Sequence, residues 1–313
     1  MKAGYKTNLL RGAVALVLAL TGCGIMEELN DCPQGIDLQF YSQTPCDPQP
    51  VYPAEMADLN LYVFNERNVL ASFRPASSVN VVASEYTHTV EAKNGLYTVV
   101  AWAGLDIERF DLSTPVVGVT TKEDLLFSLR HTGGRALSYA DKRVFYGESD
   151  PVYLPDPAIY GSVFKAADVN LKELTKRISV EVEGLSNPQD YEVVIESKSE
   201  AMRYDGEPLA GAQIEYQPIL RPVGSELTAS FTVMQLSTGF DTTLVIRQKS
   251  TGQELYRGDL LGTLLLKNPT VNLACDCDFT IRFTAADACG CGTYAIMKIW
   301  VNEWLVHSYE TSL

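Results

Sequence analysis

Residues 175–184, TKRISVEVEG, put Ile178, Val180 and Val182 on one side of an extended chain and Arg177, Ser179 and Glu181 on the other. A period of two marks a strand with one buried face; an amphipathic helix would repeat its apolar residues every three to four positions. The same rhythm runs outward in both directions. Upstream, Ile36, Leu38 and Phe40 alternate with Asp37, Gln39 and Tyr41, and residues 58–65 (DLNLYVFN), 79–82, 86–91 and 96–103 continue the series. Downstream come residues 191–196, 227–236, 242–248, 254–257, 279–283, 294–301 and 304–309. Asn94-Gly95 predicts a hairpin between two of these strands, because both residue types tolerate positive φ. Short helices are expected in two places. At residues 121–129, Thr121 precedes Glu123 and Asp124 and then Leu125, Leu126 and Leu129. Residues 259–266 (DLLGTLLL) show no alternation. Many short strands with few helices predict an all-β protein of two sandwich domains. Pro151, Pro155 and Pro157 interrupt the rhythm, so the expected divisions are residues 1–22, 23–160 and 161–313.

Composition narrows the function. The chain has 313 residues, with 25 Lys+Arg against 39 Asp+Glu and a formal charge of −14. Such acidity disfavours nucleic acid as a partner, since counterion release from phosphates needs a basic face. Only three histidines are present, His88, His131 and His307, and none has a metal-ligand neighbour at the spacing a shared site requires. There is no G-x-S-x-G elbow, no H-E-x-x-H and no phosphate loop. No catalytic residue, metal or cofactor is expected, and the chain is read as a non-enzyme.

The N-terminus reads as an export signal. Lys2, Lys6 and Arg11 precede an apolar run at residues 12–20, about half the roughly 20 residues that a membrane-spanning helix needs. Leu20-Thr21-Gly22-Cys23 has the form of a bacterial lipobox, in which the cysteine is acylated and becomes the first residue of the mature lipoprotein. Acyl chains, palmitate among them, contribute about 0.8 kcal/mol per buried CH₂, enough in combination to hold an acidic protein on a membrane.

Six further cysteines, Cys32, Cys46, Cys275, Cys277, Cys289 and Cys291, suit an oxidising compartment. Pairing Cys32 with Cys46 would close a short loop. Cys275-Asp276-Cys277 and Cys289-Gly290-Cys291 form two C-x-C pairs, for which disulfides, a four-thiolate zinc site and reduced thiols are the three readings.

An ordered set of segments resembles the FimB/Mfa-type fimbrial anchor subunits of Bacteroidetes. The lipobox is followed by Asp31-Cys32-Pro33 and an alternating strand. Residues 59–64 (LNLYVF), 94–104 (NGLYTVVAWAG), 143–148 (RVFYGE), 171–184 and 294–305 (YAIMKIWVNEWL) then match in sequence. The resemblance implies two transthyretin-like sandwiches in a type V fimbria. It also implies a lipid-anchored subunit on the outer membrane, exposed at the cell surface; Met26-Glu27-Glu28 looks like the surface-export tag of such lipoproteins. In the stalk subunits of such fimbriae, an arginine- or lysine-specific protease removes the first strand, and a neighbour's extended strand fills the groove. The anchor keeps its first strand and its lipid. The expected function is therefore to tether a fimbria and limit its length, joined to a stalk subunit by β-strand addition. The alternative is a fimbrial tip or accessory adhesin that binds a host or bacterial surface ligand.

Two features bear on that distinction. Between Cys23 and Glu66 there is no lysine or arginine, and Arg67 is the first, so a protease of that specificity has no site near the first strand. The C-terminal segment is the candidate for strand exchange: Tyr294, Ile296, Ile299, Trp300, Val301 and Trp304 make a stretch apolar on both faces. It is either the last core strand of its own domain or a strand for a partner's groove, and the residues after Asn302 are the candidate mobile arm.

Overall fold

The computed structural model describes residues 32–51, 59–76, 87–139, 142–223, 226–266, 270–287, 290 and 292–309. The fold is all-β, built from four sheets, with strands numbered along the chain. In the first sheet β1 (Gly35–Tyr41) lies between β4 (Thr87–Glu91), antiparallel to it, and β12 (Phe164–Asn170), parallel to it. The second sheet runs β13 (Lys172–Glu173), β10 (Phe145–Glu148), β5 (Gly95–Ala103), β2 (Leu59–Asn65) and β3 (Leu70–Ala76), and β11 (Val152–Leu154) adds to β5.

The third sheet runs β17 (Ile219–Val223), β18 (Glu226–Met234), β14 (Thr175–Glu183), β21 (Asp278–Asp287), β22 (Tyr294–Val301) and β23 (Trp304–Ser308). The fourth contains β20 (Glu254–Asp259), β19 (Thr243–Gln248), β15 (Tyr191–Arg203), β16 (Pro208–Tyr216), β9 (Arg135–Ala136) and β8 (His131–Thr132). Two further strands extend it: β7 (Leu126–Leu129) pairs with the far end of β15, and β6 (Phe110–Leu112) pairs with β7.

Period-two patterning explains the cores. Ile36, Leu38 and Phe40 of β1 pack against Leu59, Leu61 and Val63 of β2 and Val99, Ala101 and Ala103 of β5, which fills the space between the first two sheets. Ile178, Val180 and Val182 of β14, with Ile281 and Phe283 of β21, meet Val193 and Ile195 of β15 and Leu244 and Ile246 of β19 between the other two. The second sheet is covered on both sides. Tyr62, Phe64, Val100 and Trp102 point away from the N-terminal core and join the larger one, with Phe110, Leu125 and Phe127. An alternating strand whose two faces are both apolar is what LNLYVF specifies.

Trp102 locks this junction. It is fully buried, its indole N–H donates to the Tyr204 carbonyl at 2.8 Å, and it meets Tyr62 and Phe127 edge-on at 5.0 and 5.2 Å.

Several sequence expectations change. Strand β12 follows residue 161 yet pairs along all of β1, and β6 and β7 precede it yet extend the fourth sheet, so chain pairing crosses the expected division at 160/161. Asn94-Gly95 does not close a hairpin: β4 belongs to the first sheet and β5 to the second, and the turn is a corner between them. Residues 121–129 are a single 3₁₀ turn, Lys122–Asp124, followed by β7. The Asp124 carboxylate there accepts from the Thr121 backbone and hydroxyl, both at 2.8 Å, so the capping signal was satisfied by one turn. The segment at 259–266 does form a helix, α2 (Leu260–Leu265), after the small α1 (Pro157–Tyr160). Residues 79–82 lie outside the described residues.

The halves are also joined covalently. Cys46 is bonded to Cys275, 229 residues away, and not to Cys32, while Cys32 and Cys277 are free thiols. Cys289 and Cys291 lie outside the described residues.

Two measurements check this account. Trp102→Ala removes a buried indole and leaves the Tyr204 carbonyl unpaired, so chemical denaturation should show a loss of about 3–5 kcal/mol. Cys46→Ser removes the bond that joins residues 229 positions apart and should cost about 2–5 kcal/mol; reducing the unsubstituted chain should lower its denaturation midpoint by a similar amount, and the variant should show no such response to reductant.

Candidate anchoring site

The site is the seat of β1 and the loop that follows it. Seven register pairs join β1 to β12 and five join it to β4, so both backbone edges of the strand are used. Its inward residues are fully or almost fully buried: Ile36 and Leu38 at 0% exposure and Phe40 at 2%. Gly35 starts the strand because the chain passes close to β4 there; a Cβ at that position would come within 2.5 Å of the Val90 carbonyl oxygen.

Both ends of β1 are fastened. Before it, Gln34 is buried, with its amide oriented to donate to the Pro155 carbonyl at 3.1 Å and accept from the Asn94 N–H at 2.7 Å. The Ser162 hydroxyl donates to the Pro33 carbonyl, and Gly35 N–H donates to the Val163 carbonyl at 3.1 Å. After it, the Asn170 side chain accepts from Gln43 N–H at 2.9 Å and donates to the Gln43 carbonyl at 3.0 Å. The sequence reading found the strand but none of these clamps, because each joins residues more than fifty positions apart and leaves no periodic trace.

The next turn leads to the disulfide. The Asp47 carboxylate accepts from the Thr44 N–H at 2.8 Å and the Thr44 hydroxyl at 2.7 Å, and these bonds hold its pKa below the usual carboxylate range. On the other side of the bond, the Lys176 ammonium donates to the Leu273 and Asp276 carbonyls at 2.8 and 2.7 Å. Arg177 pairs with Glu173 and Asp278, and its hydrogen bonds keep the Asp278 carboxyl low. A cavity of about 550 Å³ lies here, bounded by Thr44, Tyr146, Lys176, Arg177 and Cys277. Burial pushes the Cys277 thiol up, so at neutral pH it is a protonated, poorly reactive sulfur. No group of three or more potential metal ligands exists among the described residues. The bond to Cys46 also removes Cys275 from any thiolate set.

The candidate exchange segment occupies its own sheet. Tyr294, Ile296, Ile299, Trp300 and Val301 lie in β22, which is hydrogen-bonded to β21 on one edge and β23 on the other. A register shift between the Thr284 and Ala285 pairings lets Ile296, Ile299 and Val301 all face the core, which strict alternation would forbid. Trp300 points outward and takes the Arg282 guanidinium 5.3 Å from its ring. The Tyr294 hydroxyl bonds Ser186. Of the candidate arm, Trp304–Ser308 form β23, which returns along β22, with Val306 buried and Trp304 and Leu305 about 40% exposed on the sheet's edge; residues 310–313 lie outside the described residues. Cys23 lies outside the described residues.

Comparison with known proteins agrees with this architecture. A sequence model of the fimbrillin-A associated anchor proteins Mfa1 and Mfa2 matches residues 29–310. The chain is 35% identical, over 97% of its length and 95% of the relative's, to the minor fimbrium anchoring subunit Mfa2 of Porphyromonas gingivalis. The structure of the fimbrial anchor protein Mfa2 from that organism superposes with a TM-score of 0.80, at 34% identity, covering 89% of this chain and 100% of that one. A structure from Bacteroides thetaiotaomicron shares the fold at a TM-score of 0.72 and 18% identity, over 89% of this chain and 99% of its own. The chain belongs to the family of fimbrillin-A associated anchor proteins.

Proposed function

We propose that this protein is the membrane anchor of a fimbria, acylated at Cys23 on the outer membrane and linked to a stalk subunit by β-strand addition. The observation that carries the reading is β1 itself. It is seated in its own sandwich, and no lysine or arginine interrupts the chain between Cys23 and Glu66. A protease with basic specificity leaves that connection intact, so the lipid and the fold stay on one chain.

Length control follows from the same seat. A groove filled by its own Ile36, Leu38 and Phe40 has no room for a neighbour's strand, so a fibre that reaches this subunit stops growing at the N-terminal sandwich. Pairing with the stalk is then left to an open edge. The β23 edge suits it: its outer backbone has no partner strand among the described residues, and Trp304 and Leu305 supply apolar contact beside it. Similarity to the Mfa2 anchoring subunit supports the fimbrial role.

Cys23→Ser in the native strain should release fibres into the medium and leave cells bald, as read by immunoblotting both fractions for the major fimbrial subunit. Fibres that stay attached while adhesion falls would instead make this a tip or accessory subunit. Leu38→Asp places a carboxylate in the sealed N-terminal core and should cost more than about 3 kcal/mol there. Hydrogen exchange should then become fast across residues 35–41 while β14 and β21 stay protected.

A further inference from the structure

The end of the N-terminal sandwich from which the chain leads toward Cys23 carries apolar side chains that belong to neither core. Ile159 is 72% exposed, Tyr160 66%, Tyr153 64% and Phe164 43%, and Leu96 is also exposed. Their placement is fixed. Tyr153 and Leu96 are direct cross-strand partners on β11 and β5, so they project from the same face. Ile159 and Tyr160 sit on α1, which Asp156 caps by accepting from the Ala158 N–H at 2.9 Å and which Gly161 terminates at φ 69°. Phe164 opens β12 opposite Gly35 on the outer face of the first sheet, whereas Leu96 and Tyr153 lie on the outer face of the second, so the apolar side chains lie on both sides of this end.

These elements converge on the chain's exit point. Cys32, Pro33, Lys93, Asn94 and Pro157 line one cleft, and Gln34 bridges Pro155 to Asn94. Cys23 lies nine residues before Cys32, so an acyl-bearing Cys23 holds this end within about 30 Å of the bilayer at full chain extension.

We propose that this end of the molecule rests on the lipid surface, with Tyr153, Ile159, Tyr160 and Phe164 inserted at the boundary between headgroups and acyl chains. The proposal rests on acylation of Cys23. Aromatic side chains with a polar tip favour that boundary, and exposed Lys93 and Lys165 flank the patch with long stems that can reach back to headgroup phosphates. For a protein this acidic, apolar contact at the tethered end offsets repulsion from an anionic surface. Resting on that end would also fix the orientation of the fibre, which attachment at a single residue would leave free.

The test uses the full chain, expressed with its signal so that acylation can occur, and reconstituted in phosphatidylethanolamine vesicles containing phosphatidylglycerol. A photoreactive phenylalanine analogue is incorporated at Tyr160 or, for comparison, at Leu266, which is exposed in the C-terminal half. Irradiation should yield about tenfold more lipid adduct at Tyr160 than at Leu266, as read by mass spectrometry. The mass of the N-terminal peptide reports acylation separately. An acylated chain with equal adduct at both positions, or with Tyr160 crosslinked to protein instead of lipid, overturns the contact while leaving the anchor reading standing. A chain without acyl groups overturns both.

Discussion

The placement of one seven-residue strand decides the rest of this structure. Without β1, the parallel partner β12 and the antiparallel partner β4 would have no common neighbour, and the first sheet would not exist. The inner face of the second sheet would also lose the side chains that cover Leu61, Val63 and Val99. Burying three large apolar residues stabilises the fold by roughly 1.5–3 kcal/mol each, and the backbone bonds along both edges prevent the strand from slipping in register. The strand therefore seals the N-terminal sandwich, and under the proposed function the same strand fills the groove that a stalk subunit's strand would need.

The second sheet gives the molecule its unity. Sheets that form the wall of a single sandwich expose a polar outer face, as β1 does with Asp37 and Gln39. In β2 and β5 the outer face is Tyr62, Phe64, Val100 and Trp102, and it is covered by β7 and the segments around it. Those segments also hydrogen-bond to the end of β15, so the N-terminal half contributes both a wall and an edge to the C-terminal half.

Legibility in the sequence tracked the strength of alternation. β14 alternates strictly and is legible directly; β2, β5 and β22 are legible as strands because they are apolar along their length, although the face that β22 buries depends on its register shift. The alternation of β15 ends at Glu196, because its continuation, Ser197-Lys198-Ser199-Glu200, replaces apolar inward residues with small polar ones. Ser197 and Ser199 are buried all the same, and the Ser197 hydroxyl lies 2.9 Å from that of Thr242. β16 carries no alternation over PLAGAQ, where residues 210–213 are exposed and Pro208 and Leu209 are half-buried. In β12 only Val169 is buried. The parts of the site that fasten β1, Gln34 and Asn170 among them, act across long separations and could be found only in three dimensions. The pairing of Cys46 with Cys275 belongs to the same class: sequence spacing favoured neighbours, whereas the fold brings together loops from opposite halves.

The order of attachments along the chain also determines how a tethered subunit would bear tension. A pull on the N-terminus reaches β1 first, where seven register pairs to β12 and five to β4 resist it. Beyond β1, the next fixed point is Cys46, whose partner Cys275 lies three residues before β21. That strand is interior to the third sheet, between β14 and β22. Tension that passes β1 thus enters the centre of the C-terminal sandwich through a covalent bond and bypasses every loop between residues 47 and 274. The third sheet carries it on through β22 to the edge strand β23, the proposed junction with the stalk. A chain without β1 would lack both this strand and the connection to the proposed acyl group on Cys23. Under the proposed function, retention of the strand, more than any single side chain, is what makes this subunit an anchor.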